Sequence, residues 1–278
     1  MNEITIIIIT YKSEKIIYDF IEKIPSTIKT IIIENSQNYK LKKDIEKKYN
    51  NISLFIKKND GVSSALNYAV DKIKTKYFLQ ISPDIEFNFE DLNIFLEFAE
   101  KKKDRFAALG PRFLEVNEKS HKQINEKLEF GKIDSVHGSC MFINKNSFEI
   151  IGKFDENFFL YFEETEYCYR GKKKGFNSYQ INKSKVKAIG RSVDLDINDN
   201  EDFSNILIWH FIWSKYYFNK KKFGKIFSLI IFVPLLIRIL FKIILYKTTK
   251  NNILLQKYLT RFDGLLKSIK GERSNLRP

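Results

Sequence analysis

Residues 4–10 read ITIIIIT, an unbroken run of mostly β-branched residues with the length of one strand. Three similar runs follow: TIIIE (30–34), ISLFI (52–56) and KYFLQIS (76–82). Continuous rather than alternating hydrophobicity predicts strands covered on both faces, as in a parallel sheet. Between these runs lie segments with helical periodicity, at 13–24, 39–49 and 61–74. The alternation of strand and helix predicts an α/β fold.

Polar residues follow each of the four predicted strands. They are Thr10 and Tyr11, then Glu34 and Asn35, then Asn59 and Gly61, and finally Ser82 and Asp84. Each pair taken alone is compatible with an ordinary turn. However, ligands of open α/β sheets bind beyond the carboxyl ends of the strands, where all four pairs would meet. Together they indicate a binding site.

Asp84 stands in SPDIE (82–86), directly after a predicted buried strand and beside the rigid Pro83. A carboxylate in this place can bind a divalent cation that bridges two phosphates, and Glu86 offers a second oxygen ligand. A simple Pro–Asp turn explains the same residues equally well.

The segment NDGVSSALNYAV (59–70) begins a helix at Gly61, and the free N–H groups of a helix start suit a phosphate or sugar oxygen.

The stretch FFLYFEETEYCYR (158–170) places carboxylates among aromatic residues at a predicted helix start. The helix dipole favours the ionised form of Glu163 and Glu164, whereas weak solvation beside apolar walls raises their proton affinity. A carboxylate in such a place is a suitable general base for a hydroxyl group. Glu166 lies on another side of the helix, at the i, i+4 spacing of an ordinary ion pair with Arg170.

The middle of the chain offers four further strands: RFAALG (105–110), SVHGSCMFI (135–143), NSYQI (177–181) and SKVKAI (184–189). From about residue 203 the sequence becomes aromatic and basic. Residues 226–247 are nearly all apolar, and an amphipathic segment spans 251–269. We expect a catalytic domain over 1–200, a helical extension over 201–270 and a disordered tail over 271–278.

Composition excludes several classes of function. Hydrophobic residues make up 44% of the chain and aromatic residues 15%, which is typical of a folded protein. The net charge is +14, yet only eight of the 48 basic residues are Arg. The others are Lys residues spread along the chain, so we do not expect nucleic acid as a partner. Two Cys and three His give no disulfide framework and no zinc spacing. The N-terminus does not resemble a signal peptide, so we expect a cytosolic protein.

The chain resembles the family-2 glycosyltransferases in six motifs and in their order along the sequence. These motifs are TYK, IIIENS, NDGVSSALNYA, SPD, GSCMFI and GKFDENFFLYFEETEYCYR. These are inverting enzymes of the GT-A fold, and the match runs from residue 4 to about 193. The rhamnosyltransferase-like branch is the most similar. The resemblance implies a mixed, Rossmann-like sheet flanked by helices, a nucleotide-sugar donor and Mg²⁺ or Mn²⁺ as cofactor.

The resemblance also implies roles for individual residues. Glu34 and Asn35 match a pair that contacts the base and ribose of the donor, and Asn67 matches an Asn near the nucleotide. Asp84 matches the last acid of the metal motif, but Ser82 replaces its first acid or Asn. Gly138 and Ser139 match small residues that line the donor sugar. Thr10, Tyr11, Asn59 and Gly61 complete the predicted donor site.

Glu164 matches the family's catalytic base, although the usual residue is Asp. We expect Glu163, Phe159 and Tyr161 to contact the acceptor, while most of the neighbouring aromatic residues have a structural role. Lys187 occupies the place of a His that many members carry, and it can contact a diphosphate as a point charge. An alternative role for Lys187 is that of a solvated residue at a strand end.

Residues 226–246 are long enough to span a bilayer, but Pro234, Arg238 and Lys242 interrupt them. Lysines flank the segment on both sides. This arrangement predicts a helix lying in the anionic cytoplasmic interface of the cell membrane. A spanning helix, or a helix packed on the catalytic domain or on a second subunit, remains an alternative.

The expected function is therefore inverting transfer of a sugar, such as the deoxyhexose rhamnose, to a glycan or lipid-linked saccharide acceptor. An inactive GT-A module that binds a glycan or a protein partner is the alternative, because Ser82 and Lys187 depart from the family pattern. A nucleotidyltransferase lacks support, since no glycine-rich loop with Arg and Lys follows the first strand.

Overall fold

The structure is a computed structural model that describes residues 3–114, 122–189, 193 and 197–278. Its strands are β1 (Ile4–Thr10), β2 (Lys29–Glu34), β3 (Ile52–Ile56), β4 (Tyr77–Ile81), β5 (Ile85–Glu86), β6 (Leu109–Phe113), β7 (Phe130–Ile133), β8 (Cys140–Asn144) and β9 (Ser178–Ala188). Its α-helices are α1 (Glu14–Ile21), α2 (Tyr39–Lys48), α3 (Val62–Val70), α4 (Leu92–Lys101), α5 (Lys145–Ile151), α6 (Glu163–Lys173), α7 (Ile197–Phe223), α8 (Lys225–Thr248) and α9 (Asn252–Lys270).

All described strands belong to one mixed sheet, with the order β3-β2-β1-β4-β8-β6-β9-β5 and with β7 added against β9. β1 pairs in parallel with β2 and β4, and β2 pairs in parallel with β3. β8 is antiparallel to β4. The predicted α/β architecture is confirmed, and the carboxyl ends of β1 to β4 lie along one edge of the sheet.

Helices cover both faces of this sheet because successive residues of each strand point to opposite sides. In β1, Ile6 and Ile8 pack on one side with the apolar residues of α1, α2 and α4. Ile7 packs on the other side with those of α3, α5 and α6. These three isoleucines are fully buried. This two-sided burial is the reason that the strands are apolar at every position.

The middle of the chain differs from the prediction in several places. Residues 135–139 are not strand, because the backbone amide of Cys140 donates to the carbonyl of His137 and closes a turn before β8. The two strands predicted within 177–189 form the single strand β9, whose pairing with β6 shifts register between Pro111 and Arg112. The elements α4, α5, β5 and β7 were not predicted from the sequence, and β6 (Leu109–Phe113) begins four residues later than the predicted strand 105–110.

The chain folds into two compact units. One comprises Met1–Asp155 with Glu163–Asp194 and contains the sheet; the other comprises Glu156–Phe162 with Leu195–Pro278 and contains α7, α8 and α9. The segment 156–162 thus groups with the helical extension, whereas the predicted boundary lay at residue 200. Within the second unit, the core between the three helices is formed by Ile212, Tyr216, Phe232, Ile239 and Leu265.

The last residues lie against α7, whereas the sequence predicts a disordered tail there. The hydroxyl of Ser274 and the carbonyl of Leu276 lie 2.9 Å from the two ring nitrogens of His210, and the indole of Trp213 donates to the carbonyl of Glu272. Polar groups close to the chain end thus find partners on buried aromatic residues of α7.

His210 gives this second unit a predicted pH dependence. The side chain is fully buried, and desolvation lowers its pKa from 6.5 to about 4. Between these values the unfolded chain binds a proton that the folded protein does not bind, so stability falls as the pH drops from about 6.5 towards 4. The loss reaches about 3 kcal/mol at the acid end.

Thermal unfolding of the wild type and of His210→Gln at pH 7.5 and pH 4.5 tests this assignment. We expect the wild type to lose more stability than the variant between these two pH values, since Gln cannot take up a proton. Equal losses in both proteins would contradict the assignment.

Candidate active site

The carboxyl ends of β1 and β2 are joined by a buried carboxylate. Glu34 is fully buried, and its Oε2 atom accepts a hydrogen bond of 2.5 Å from the hydroxyl of Thr10. Its Oε1 atom accepts from the amide and the hydroxyl of Ser36. The structure thus brings Thr10, Glu34 and the nearly buried Asn35 together as predicted, and the carboxylate of Glu34 orders the loop after β2.

The loop after β3 reaches the same edge of the sheet. The backbone amide of Lys57 donates to the carbonyl of Glu34 at 2.9 Å. Gly61 precedes α3 with φ +98°, a conformation that side-chain-bearing residues rarely adopt, and its amide donates to Oδ1 of Asn59. Tyr11 is half-buried at the end of β1. Asn59 and Gly61 lie at the amino end of α3, where backbone N–H groups can receive an anionic oxygen.

Asn67 does not lie in this frame as a donor-binding residue. Its side chain is almost fully buried and forms two hydrogen bonds with the backbone of Phe154, donating at 2.9 Å and accepting at 3.0 Å. The amide therefore joins α3 to the loop that follows α5. We assign Asn67 a structural role in place of the predicted contact with the nucleotide.

The central part of the site connects β4, β8 and α6. The amide of Ser82 donates to the carbonyl of Ser139 at 2.9 Å, continuing the pairing of Ile81 with Cys140. A Cβ atom placed on Gly138 would lie 3.5 Å from Oε2 of Glu164. The residues predicted to line the donor sugar are thus adjacent both to the metal-motif segment and to the predicted catalytic base.

The segment from Asp84 to Glu86 lies against the strand that carries Lys187. The carbonyl of Asp84 accepts from the amide of Ile189 at 2.8 Å, and Glu86 of β5 pairs with Lys187 of β9. Residues directly opposite in two strands share a face of the sheet, so the exposed Glu86 has a lysine as its neighbour. This position makes Glu86 a poorer metal ligand than predicted.

A divalent cation fits this site only in a limited way. Within 3–114, 122–189, 193 and 197–278, no group of three or more His, Cys, Asp and Glu side chains is arranged to hold a metal ion. Asp84 remains as a single carboxylate. One carboxylate suits Mg²⁺ or Mn²⁺ when phosphates of a bound nucleotide and water supply the other ligands. The donor set therefore fits a cation that arrives with the nucleotide.

Glu163 and Glu164 begin α6, and their environments differ from those of simple helix-start carboxylates. Burial, together with the negative charge of Glu164, raises the pKa of Glu163 well above its ordinary value. Burial also raises the pKa of Glu164, although hydrogen bonds from the helix start and from Thr165 act in the opposite direction. Desolvation thus outweighs the hydrogen bonds at the helix start, whereas the sequence predicted that the helix start keeps both groups ionised.

Glu166 and Arg170 form a buried structural pair. Only 1% of the Glu166 side chain is exposed, and both of its carboxylate oxygens accept from Nε of Arg170 at 2.9 Å. The guanidinium also donates to the carbonyls of Ile151, Gly152 and Lys153. Glu166 therefore orients Arg170, and the guanidinium of Arg170 holds α6 to the backbone at the end of α5. Glu164 is only half-buried and available for chemistry.

The predicted acceptor residues Phe159 and Tyr161 belong to the helical unit. Phe159 is 6% exposed, its ring is stacked 4.5 Å from that of His210, and the guanidinium of Arg277 lies over its ring as well. It therefore anchors the segment and is a poor candidate for an open cleft wall. Tyr161 is half-buried against Phe211 and has φ +68°, a left-handed conformation shortly before α6.

Three residues near Glu164 were not singled out in the sequence. The hydroxyl of Thr165 donates to Oε1 of Glu164 at 2.9 Å, and the hydroxyl of Ser135 lies 3.4 Å from that of Thr165. Nδ1 of His137 accepts from the amide of Ser139 at 3.2 Å. Thr165 and His137 bind neighbours one and two residues away, whereas Ser135 and Thr165 are 30 residues apart in the sequence. The tertiary arrangement of these two segments brings the three residues close to one carboxylate, and no local pattern indicated it.

The profile of glycosyl transferase family 2 matches residues 5–173, which is more than half of the chain. The chain belongs to this family. The match includes the carboxyl ends of β1 to β4, the turn before β8 and α6. It therefore includes every predicted site residue from Thr10 to Glu164.

A curated relative is the low-salt glycan biosynthesis hexosyltransferase Agl10 of Haloferax volcanii, which is 27% identical over 200 residues. The alignment covers 64% of this chain, and the chain spans 64% of the length of that relative. The similarity to this relative is thus confined to a shared region, and the relative carries additional sequence outside it.

Two solved structures share the fold. The mannosyltransferase PcManGT of Pyrobaculum calidifontis, in complex with GDP-Man and Mn²⁺, has a TM-score of 0.62 at 11% identity over 98% of this chain and 88% of its own. S. aureus TarS 1–349, in complex with UDP-GlcNAc, has a TM-score of 0.57 at 12% identity over 97% and 91%. Both likenesses establish the GT-A fold, and the C-terminal helices form the expected extension.

Proposed function

We propose that this protein is an inverting glycosyltransferase that moves a hexosyl group from a nucleoside-diphosphate donor to a hydroxyl of a glycan or lipid-linked saccharide. One observation carries the proposal: Gly138 and Ser139 lie between the Ser82 segment and the carboxylate of Glu164. A sugar seated on these small residues would have its leaving group on one side and a base on the other. Family membership and the hexosyltransferase relative support this proposal.

The chemistry follows from the residues that surround this position. Backbone N–H groups at the amino end of α3 receive oxygens of the diphosphate. A divalent cation bound by Asp84 and the phosphates would neutralise charge on the leaving group. Glu164 takes the proton of the acceptor hydroxyl while the oxygen of that hydroxyl bonds to the anomeric carbon, and the bond from that carbon to the diphosphate breaks. Attack from the opposite face inverts the configuration.

The donor we propose is a deoxyhexose nucleotide such as dTDP-rhamnose, on the basis of the similarity to the rhamnosyltransferase-like branch. The related structures were solved with GDP-Man and UDP-GlcNAc, which supports a nucleotide sugar as the general donor class. Purified protein would be incubated with a panel of UDP-, GDP- and dTDP-sugars, and the released nucleoside diphosphate would be measured.

We expect one donor of this panel to release its nucleoside diphosphate, slowly to water and faster with a saccharide acceptor. The wild type is compared with Glu164→Gln under the same conditions. Absence of release from every donor, in the presence and absence of acceptors, would favour the inactive binding module instead.

The contribution of the cation is tested by calorimetry. We expect the nucleoside diphosphate to bind the wild type at least ~10-fold more tightly with Mg²⁺ or Mn²⁺ than with EDTA, because the ion joins Asp84 to the phosphates. In Asp84→Ala the gain should disappear, whereas Glu86→Ala should retain it. An equal gain in Asp84→Ala would show that the carboxylate does not bind the ion.

We also propose that α8 lies in the interface of an anionic cytoplasmic membrane. Among the described helices, Lys225–Thr248 is long and apolar enough to cross a membrane, judged by length and composition alone. A stripe of exposed apolar side chains runs along it at helical spacing; its members are Ile226, Ile230, Val233, Ile237, Phe241 and Ile244. Arg238 and Lys242 lie beside this stripe, where a helix in the plane of the membrane would place them near headgroups.

The charge of the protein is concentrated in the same region. Residues 203–278 contain 15 Lys and Arg against two acidic residues, whereas residues 1–202 contain 33 against 32. Each basic residue close to an anionic surface contributes about 1 kcal/mol of attraction. The helical extension therefore combines apolar area with nearly all of the net positive charge, which supports membrane attachment in place of nucleic-acid binding.

Flotation with liposomes tests the attachment. We expect the wild type to float with vesicles of phosphatidylcholine and phosphatidylglycerol, to float less at high salt, and to be released by alkaline carbonate. The variant Ile237→Asp/Ile244→Asp should remain at the bottom of the gradient. Thr249→Asp is the control, because it adds an acidic residue outside the apolar stripe, and it should still float. Wild-type protein recovered only at the bottom would refute the attachment, and retention in carbonate would favour a spanning helix.

A further inference from the structure

The loop 135–139, named here the sugar-side loop, connects β7 to β8 and contacts the candidate base from two directions. Its Gly138 faces the carboxylate of Glu164, and its Ser135 hydroxyl is close to Thr165, whose hydroxyl donates to the same carboxylate. Its Ser139 carbonyl accepts from the amide of Ser82. The position of this loop therefore determines how a donor sugar would meet Glu164.

One side chain within the loop holds its shape. The imidazole of His137 is half-buried, and its Nδ1 atom accepts a hydrogen bond from the amide of Ser139. The ring packs on Phe113 of β6, with the ring centres 4.3 Å apart and an angle of 35° between the planes. The carbonyl of His137 also accepts from the amide of Cys140 at 3.1 Å. The residue is thus fixed to the sheet and closes the turn around Gly138.

This arrangement defines the chemical state of the ring. A nitrogen that accepts a hydrogen bond carries no proton, so the neutral imidazole is protonated at Nε2. A protonated imidazolium would present an N–H group to the amide of Ser139 and could not accept this hydrogen bond. The loop therefore requires His137 in one tautomer.

We propose that His137 is a positioning residue of the transferase site, which acts by holding the Gly138–Ser139 turn against Glu164 through its Nδ1 atom. This inference rests on the proposed function. Loss of the bond would release the amide of Ser139 and allow Gly138 to move with respect to the carboxylate. A displacement of about 1 Å between reacting groups can cost about 10²-fold in rate.

Three substitutions separate the two ring nitrogens. In His137→Asn the amide oxygen replaces the acceptor at Nδ1, in His137→Gln the side chain extends to the place of Nε2, and His137→Ala removes both. We expect Asn to retain kcat within ~3-fold of the wild type, and Gln and Ala to lose ~30- to 100-fold, with little change in the donor KM. Calorimetry with the nucleoside diphosphate and thermal unfolding serve as folding controls.

The outcomes are distinct. Retained activity in Gln together with loss in Asn would overturn the positioning role, because it would assign a direct substrate contact to Nε2. Wild-type activity in Ala would overturn it as well. If the wild type releases no nucleoside diphosphate from any donor, the proposed function fails; the imidazole ¹⁵N spectrum then tests the hydrogen bond of His137 itself, and a ring protonated at Nδ1 would refute it.

Discussion

Replacing Glu164 with Gln is expected to lower the rate of sugar transfer by about 10²- to 10⁴-fold, the usual contribution of a general base. The affinity for nucleoside diphosphate should change by less than ~2-fold, since this carboxylate lies beside Gly138 just before β8, whereas the predicted nucleotide residues end β1 and β2, two and three strands away. Gln retains the size of Glu and can still accept from Thr165, so the loss reports the missing proton acceptor.

Two further measurements make this prediction specific. Because burial raises the pKa of Glu164, kcat/KM should fall as the pH drops through a value above 4.5, where the carboxylate becomes protonated, and this limb should vanish in Glu164→Gln. Glu164→Asp preserves the base but shortens the side chain, so it should retain more activity than Gln. Full activity of Glu164→Gln would refute the assignment.

Replacing Arg170 with Met is expected to destabilise the first unit by about 3–5 kcal/mol, because it leaves the almost completely buried carboxylate of Glu166 without its charge partner. It also removes the donors that bind the carbonyls of Ile151, Gly152 and Lys153. Urea unfolding followed by circular dichroism measures the loss.

The double variant Glu166→Gln/Arg170→Met provides the control for this pair. It removes the buried charge along with its partner, so we expect it to recover part of the stability lost in Arg170→Met. Lys172→Met serves as a matched control, since its ion pair with the 91% exposed Asp134 is worth little. A loss of stability in Arg170→Met no larger than that in Lys172→Met would contradict the structural role of the pair.

The fold was predictable because local hydrophobic pattern and global architecture agree. ITIIIIT is apolar at every central position because β1 is covered on both faces, and the structure confirms the four parallel strands within one or two residues. The turn over 135–139 was not predictable. The β-branched and apolar residues around it favour strand, whereas a tertiary contact of His137 with Phe113 and a hydrogen bond to Ser139 favour the turn.

The candidate site was predictable where it depends on strand order and not where it depends on side-chain partners. Thr10, Glu34 and Ser82 lie at one sheet edge because parallel strands end together. Asn67 has the residue type of a ligand contact, yet its amide binds the backbone of Phe154, 87 residues away. Phe159 likewise has the residue type of a sugar platform, but it is buried against His210. Partners this far apart in sequence leave no local signal.

The proposed mechanism requires that the segment ending at Asp84 and the carboxylate of Glu164 act on one and the same sugar. The decisive experiment is a crystal structure of Glu164→Gln with the donor identified by the nucleotide-sugar panel. We expect the diphosphate beside Asp84, the hexose on Gly138 and Ser139, and the side-chain amide at position 164 facing the anomeric carbon from the side opposite to the phosphate. A hexose bound away from Gly138, or a side chain at position 164 on the same side as the leaving group, would rule the mechanism out.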